Sequence, residues 1–300
     1  KDTYYAFTVQ AAQKQRQALL QASKDEAAIK YMLEDFKDKT GNINPPLAME
    51  RIIGFMETGE GQLKFLNVET RMRVIKGQID KEFYSVLEQN RHTLLGNTRN
   101  KANMHDMGKE LHQPGSTKNL KAKQMAEAWR AASEKARMMY NERGGNIPKS
   151  DKWRTPQNHD QIKVNLKGQD EWVDNILPLL DRDSMINYET QLKFTDAELK
   201  LALQDVWNNI TTKGYLKKTS AGFSGKLANQ RLDHRFLHFK DYDAWVKYND
   251  EFGASDLFNT MLAHLDSISR DISLMDVMGP SPDAFMRSIR FEATKYAARV

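Results

Sequence analysis

At 300 residues the chain is long enough to bury a substantial core, and with 40% hydrophobic and 28% charged residues its composition is globular rather than disordered. The absence of cysteine excludes disulfides, thiolate metal sites and thiol nucleophiles, and no apolar run approaches the roughly 20 residues that span a bilayer. The net charge of +5 is unevenly spread, residues 1–150 holding 25 Lys/Arg against 18 Asp/Glu and residues 151–300 holding 20 against 22.

Only 8 prolines and 16 glycines punctuate a chain rich in good helix formers, so an all-α fold is expected: an elongated multi-helix array with irregular loops and little or no sheet. Residues 7–38 place apolar side chains at steps near three and four, as one long amphipathic helix does. Pro45-Pro46 opens a short helix over 47–58, and 68–91 forms a third, with Met72, Ile75, Ile79, Phe83, Val86 and Leu87 as its stripe. Gly96, Gly108 and Pro114-Gly115 leave only a short helix around 104–111. A strong helix over 117–142 carries Leu120, Met125, Ala128, Trp129, Ala132, Ala136 and Met139 on one side, and Gly144-Gly145 stops it.

An irregular stretch follows, GGNIPKSDKWRTPQNHDQIK over 144–163. Beyond it, 169–177 and 183–188 read as short helices separated at Pro178. Thr195-Asp-Ala-Glu198 matches a capping box for a helix reaching Thr211. Residues 214–229, rich in Gly, Ser and Lys, read as an exposed loop, and 235–239 as briefly extended. Residues 241–252 form a helix closed by Gly253, Ser255 caps a long helix of about 24 residues, and Ser281-Pro282 starts the last one.

Chemistry is sparse. His234 and His238 have the i, i+4 spacing of a zinc-binding helix, but Arg235 stands where the general-base Glu would be and would repel a metal. His159-Asp160 offers an acid–base pair without an activated nucleophile beside it. For that stretch a structural corner has the clearer mechanism. Trp153 buries its ring and finds a carbonyl for its N–H, Pro156 fixes the backbone, and Gln157, His159 and Asp160 satisfy amides left open by irregular chain. No phosphate-binding loop is present. The basic excess peaks at 91–154, with 14 Lys/Arg against 6 Asp/Glu, and Lys118, Lys121, Lys123, Arg130 and Arg137 are its candidate DNA contacts. Interleaved acidic residues and scarce aromatics also fit a solvated helix face.

Two stretches, MYNERGGNIPKSDKWRTPQNHD and FLHFKDYDAWVKYNDEFGASDLFNTMLAHLDSISRDISLMDVMGPSP, together resemble segments of the internal virion (ejection) proteins of short-tailed bacteriophages and of related large polyvalent phage proteins. The matching positions are Gly144, Gly145, Trp153, Pro156, Gln157, His159 and Asp160, then Phe239, Trp245, Phe252, Gly253, Arg270, Asp271, Gly279 and Pro280. Arg154 departs from the pattern, which has Gly there. The resemblance implies a helical, non-enzymatic module without cofactor or metal. It would be part of a longer protein packaged in the capsid and released to the host envelope with the genome, where it contributes to a DNA conduit as a homo-oligomer or with other ejected proteins. The alternative is a helical domain of a hydrolase or nucleic-acid-modifying enzyme using His159/Asp160 or His234/His238. Three regions are expected: 1–95 with the long first helix, 96–165 ending in the corner, and 166–300.

Overall fold

The computed structural model describes residues 37, 39–45, 48, 52, 67–89, 101–145, 147, 149, 154–185, 192–212 and 236–298. Among them the fold is all-α, with nine helices, no strands and three isolated β-bridges. In chain order the helices are α1 Val68–Gln89, α2 Lys101–His112, α3 Leu120–Glu142, α4 Gln161–Lys167, α5 Gln169–Ile176, α6 Asp196–Thr211, α7 Tyr242–Phe252, α8 Leu257–Met278 and α9 Pro282–Ala297. Two 3₁₀ turns, Leu177–Leu179 and Arg182–Ser184, follow α5. The long helix expected over 7–38 lies outside the described residues except for Lys37, which bridges to Ile43 instead of continuing a helix, and most of 47–58 and the loop at 214–229 lie outside them as well.

Side chains set most helix starts by accepting from amides that lack an intrahelical partner. Asn119 caps α3, Asp160 α4 and Asp241 α7, and Thr195 with Glu198 forms the expected capping box at α6. The cap of α8 is Asp256 rather than Ser255, whose hydroxyl pairs with Thr260 instead. At α3, Leu120 is 68% exposed because it sits one residue inside the cap, before the helix has turned onto its core face. The expected helix at 183–188 is, where described, only the Arg182–Ser184 turn. Conversely α4 has no counterpart in the sequence reading, its seven residues being set between the Asp160 cap and Gly168 at φ +80°.

Helix α2 runs through Gly108 and is longer than expected, because the glycine marks a contact rather than a break. A Cβ there would lie 2.1 Å from the Tyr242 ring, so its absence lets α7 rest on α2. Helices α1, α2, α3 and α8 pack together, α4, α5 and α6 form a second group, and α7 joins them by touching both α2 and α4. One apolar interior runs through both groups, from Ile75 to Met275, and so continues across residues 95 and 165. Phe83 meets Trp129 edge-on at 5.8 Å and stacks on Phe258 at 6.5 Å, tying α1, α3 and α8 at one point. A smaller cluster of Ala48, Ile52, Met278, Phe285 and Ile289 seats α9 on the end of α8. Among the described residues no helix is long and apolar enough to cross a membrane.

Candidate functional site

The sequence directs attention to the corner between α3 and α4. Gly144, at φ +94°, ends α3, and a Cβ on it would approach Pro280 to 3.2 Å, so the corner starts against the turn that follows α8. A Cβ on Gly145 would fall 2.2 Å from the Tyr140 ring. Asn141 then holds Ile147 through two bonds, accepting from its N–H at 2.8 Å and donating to its C=O at 2.9 Å. The same region is tied to α8 by Asp276, which takes Arg143 at 2.7 Å on one oxygen and Arg71 on the other. Burial alone would raise that carboxyl, but the two guanidiniums hold it below the usual carboxylate range.

Residues 154–160 lie along α7. The buried Trp245 donates from Nε1 to the Pro156 carbonyl at 3.3 Å, and Gln157 donates to the Leu237 carbonyl at 2.8 Å. Two backbone bonds, Asp160 N–H to Phe252 O and Ala254 N–H to Asn158 O, each 2.8 Å, flank the bridge between His159 and Gly253. At Gly253 a Cβ would lie 2.4 Å from the Asn249 carbonyl oxygen, so glycine lets the chain leave α7 by this path. The His159 and Asp160 side chains serve different partners: Asp160 accepts from the amides of Ile162 and Lys163, and His159 Nδ1 lies 2.9 Å from the Tyr248 hydroxyl. Burial pushes the Tyr248 hydroxyl far up, so the phenol keeps its proton. Trp153 and His234 lie outside the described residues.

His238 Nδ1 lies 3.0 Å from the Ser184 hydroxyl, which also reaches the Asp181 carbonyl at 3.0 Å. The Asp181 N–H in turn donates to the His238 carbonyl at 2.7 Å, and Leu180 bridges to Phe239, so the extended stretch is pinned to the turns after α5. Beside it His238, His112, Arg154, Thr155, Gln157, Leu237 and Phe239 line a small crevice with room for about one water. His112 is 8% exposed, and its Nε2 meets the Thr155 hydroxyl at 3.2 Å. Its Nδ1 has no hydrogen-bond partner among the described residues. Burial, then the charge of Arg154, depress its pKa to about 4 against a smaller opposing pull from Asp241.

The five candidate DNA-contacting residues divide. Lys118, Lys121 and Lys123 are exposed at the start of α3. Arg130 donates to the Glu110 carbonyl and, at 3.4 Å, to that of Leu111, and Arg137 pairs with Glu134 and donates to Ile147 O, so both guanidiniums are engaged within the fold. Of the remaining motif positions, Phe239, Trp245 and Phe252 are buried, Arg270 is exposed beside buried Asp271, and Gly279 closes α8 at φ +81°.

The sequence reading missed Glu110, whose side chain is almost fully buried and accepts from the Gly115 N–H and from the Thr117 N–H and hydroxyl, each at 2.7 Å. It also missed the contacts made by His112 and Ser184. The turn residues Pro114-Gly115, four and five positions on from Glu110, were the available signal for a carboxylate closing that loop. Comparison with known protein families, curated proteins and solved structures finds no match to this chain.

Proposed function

We propose that this chain is a structural segment of a phage internal virion protein, ejected with the genome and contributing to a DNA-translocation conduit across the host envelope. One observation carries the reading beyond the resemblance itself. The two stretches that resemble such proteins pack on each other through their matching positions: Gly144 against Pro280, Pro156 to Trp245, His159 to Gly253 and Asp160 to Phe252. In this reading the shared pattern encodes a packing joint, and its polar side chains hold backbone in place. The long helices would assemble with further copies or with other ejected proteins.

The test is mass spectrometry of purified phage particles carrying this protein, before and after triggered DNA release. Presence before and loss after is the expected result; retention in emptied particles would make it a fixed component, and absence from particles would sink the proposal.

A second reading, a hydrolase or nucleic-acid-modifying domain, is favoured by the Ser184–His238 contact beside the crevice. It requires that His238→Ala abolish a measurable hydrolytic activity while the fold persists. The other pair weighed for catalysis, His159/Asp160, is divided between Tyr248 and the α4 cap.

A further inference from the structure

The last helix, α9, is two-sided. Phe285 and Ile289 are buried in one cluster with Met278 of α8, which fixes the apolar side inward. Steps of three and four place Arg287, Arg290, Phe291, Thr294 and Lys295 together on the opposite side, and all five are exposed. Among the described residues neither the Arg287 nor the Arg290 guanidinium has a hydrogen-bond or ion-pair partner. By contrast Arg71, Arg130, Arg137 and Arg143 have theirs engaged by carboxylates or carbonyls of the fold. Phe291 is 60% exposed, and Lys295 sets its Nζ 4.2 Å from the ring centroid, so a charge and a flat apolar surface are presented side by side. The exposed carboxylate on this side, Asp283, lies in the first turn and pairs with neither arginine.

We propose that the outward side of α9 is a contact surface for single-stranded nucleic acid, with Arg287, Arg290 and Lys295 meeting the phosphates and Phe291 stacking on a base. Unpaired guanidiniums give charge-assisted hydrogen bonds to phosphate oxygens without breaking any contact of the fold. Cations about one helical turn apart follow a sugar-phosphate backbone, and an exposed ring between them suits a strand whose bases are free, because any base has a face to offer it. A duplex keeps those faces within its own stack. A bilayer fits less well, since an interfacial helix must bury a broad apolar face and that of α9 is already seated on α8. The start of α3, where Lys118, Lys121 and Lys123 are exposed, is the weaker rival, because its exposed apolar neighbour is Leu120, which cannot stack. The inference stands on the α9 surface and not on the virion reading.

Fluorescence anisotropy of the whole chain with a labelled oligothymidylate tests this. Saturable binding is expected, weakening about 20-fold between about 50 and 200 mM salt for three phosphate contacts. The double variant Arg287→Gln/Arg290→Gln should bind about tenfold or more weakly, with a shallower salt dependence. Phe291→Ala should lose about fivefold or more at an unchanged salt dependence. All three side chains are exposed, so the variants should keep the helical circular dichroism of the parent. No saturable binding, or unchanged affinity in either variant, would overturn the proposal. So would tighter binding to duplex DNA or to anionic lipid vesicles, or equally effective displacement by polyglutamate. Loss confined to Lys118→Gln/Lys121→Gln/Lys123→Gln would move the contact to α3 and overturn it too. Failure here would leave the particle measurement untouched, and absence of the protein from particles would leave this surface standing.

Discussion

Asp80 sits 4% exposed on α1 with one carboxylate oxygen lacking a hydrogen-bond partner among the described residues. Burial raises its pKa to about 6, Lys76 pulling it back and Asp266 on α8 pushing it further up. The folded chain therefore holds this proton more tightly than the unfolded one, in which an Asp titrates near 4. Stability from this residue is full below that value and is lost as pH rises through 6. Asp80→Asn should stabilise the protein at pH 7 by about 1–2 kcal/mol, the gain fading toward pH 4, as urea unfolding at several pH values would read. His112 acts in the opposite sense. Its folded pKa lies below the ordinary value of 6.5, so its neutral burial costs stability as pH falls from there toward 4. Gly108 gives a steric prediction at the same scale. Ala is the better helix former by about 1 kcal/mol, yet Gly108→Ala should destabilise by about 1–3 kcal/mol net because the Tyr242 ring already fills that space. A melting temperature that rose in this variant would contradict the contact. None of these three roles is legible locally, since each depends on a partner brought by the fold from far along the chain.

Elements were the most legible level, because their signals are local. The capping box at Thr195, the Gly253 stop and the apolar stripes of α1, α3 and α8 all lie within a few residues of what they specify. The errors have the same origin. Ser255 and Asp256 are both competent caps, and the one on which the first turn closes is decided by Thr260, which takes the Ser255 hydroxyl. Helix α4 is too short to show a period, and it exists because Asp160 is anchored to Phe252 before it caps. The α2–α3 loop depends on Glu110 in a comparable way. Burial would raise this carboxyl, but bonds from Thr117 and Gly115 outweigh it and hold it below its ordinary range. Glu110→Ala should cost about 1–3 kcal/mol. The deficit should vanish in acid, because the wild-type bonds are lost as pH falls through that depressed pKa. Denaturation of both proteins across the acid range would check both points, and a deficit constant with pH would count against the carboxylate as the anchor.

For the whole molecule, the continuous interior from Ile75 to Met275 makes a prediction about cooperativity. Trp245 is 2% exposed and sits where α7 joins the two helix groups. Trp245→Ala should cost about 3–5 kcal/mol and move the entire transition, so that far-UV circular dichroism and tryptophan fluorescence still coincide. Separated transitions would mean that α1, α2, α3 and α8 melt apart from α4, α5 and α6. This level was the least legible in the sequence: composition gave the all-α class, whereas α1 and α8 are joined by apolar contacts such as Phe83–Phe258 and by the ion pairs Lys76–Asp266 and Arg71–Asp276, the latter between residues 190 and 205 positions apart. That clasp between distant helices gives the fold a mechanical character. Hauled tail first through an opening narrower than itself, the chain would surrender α9 and then α8, uncovering Ile75, Ile79 and Phe83 in the same event. Loss of α1 would strip the same seam from the other side. Among the described helices, loss of either α1 or α8 brings down the wall the two share, so beyond α9 the rest would yield as a block rather than helix by helix.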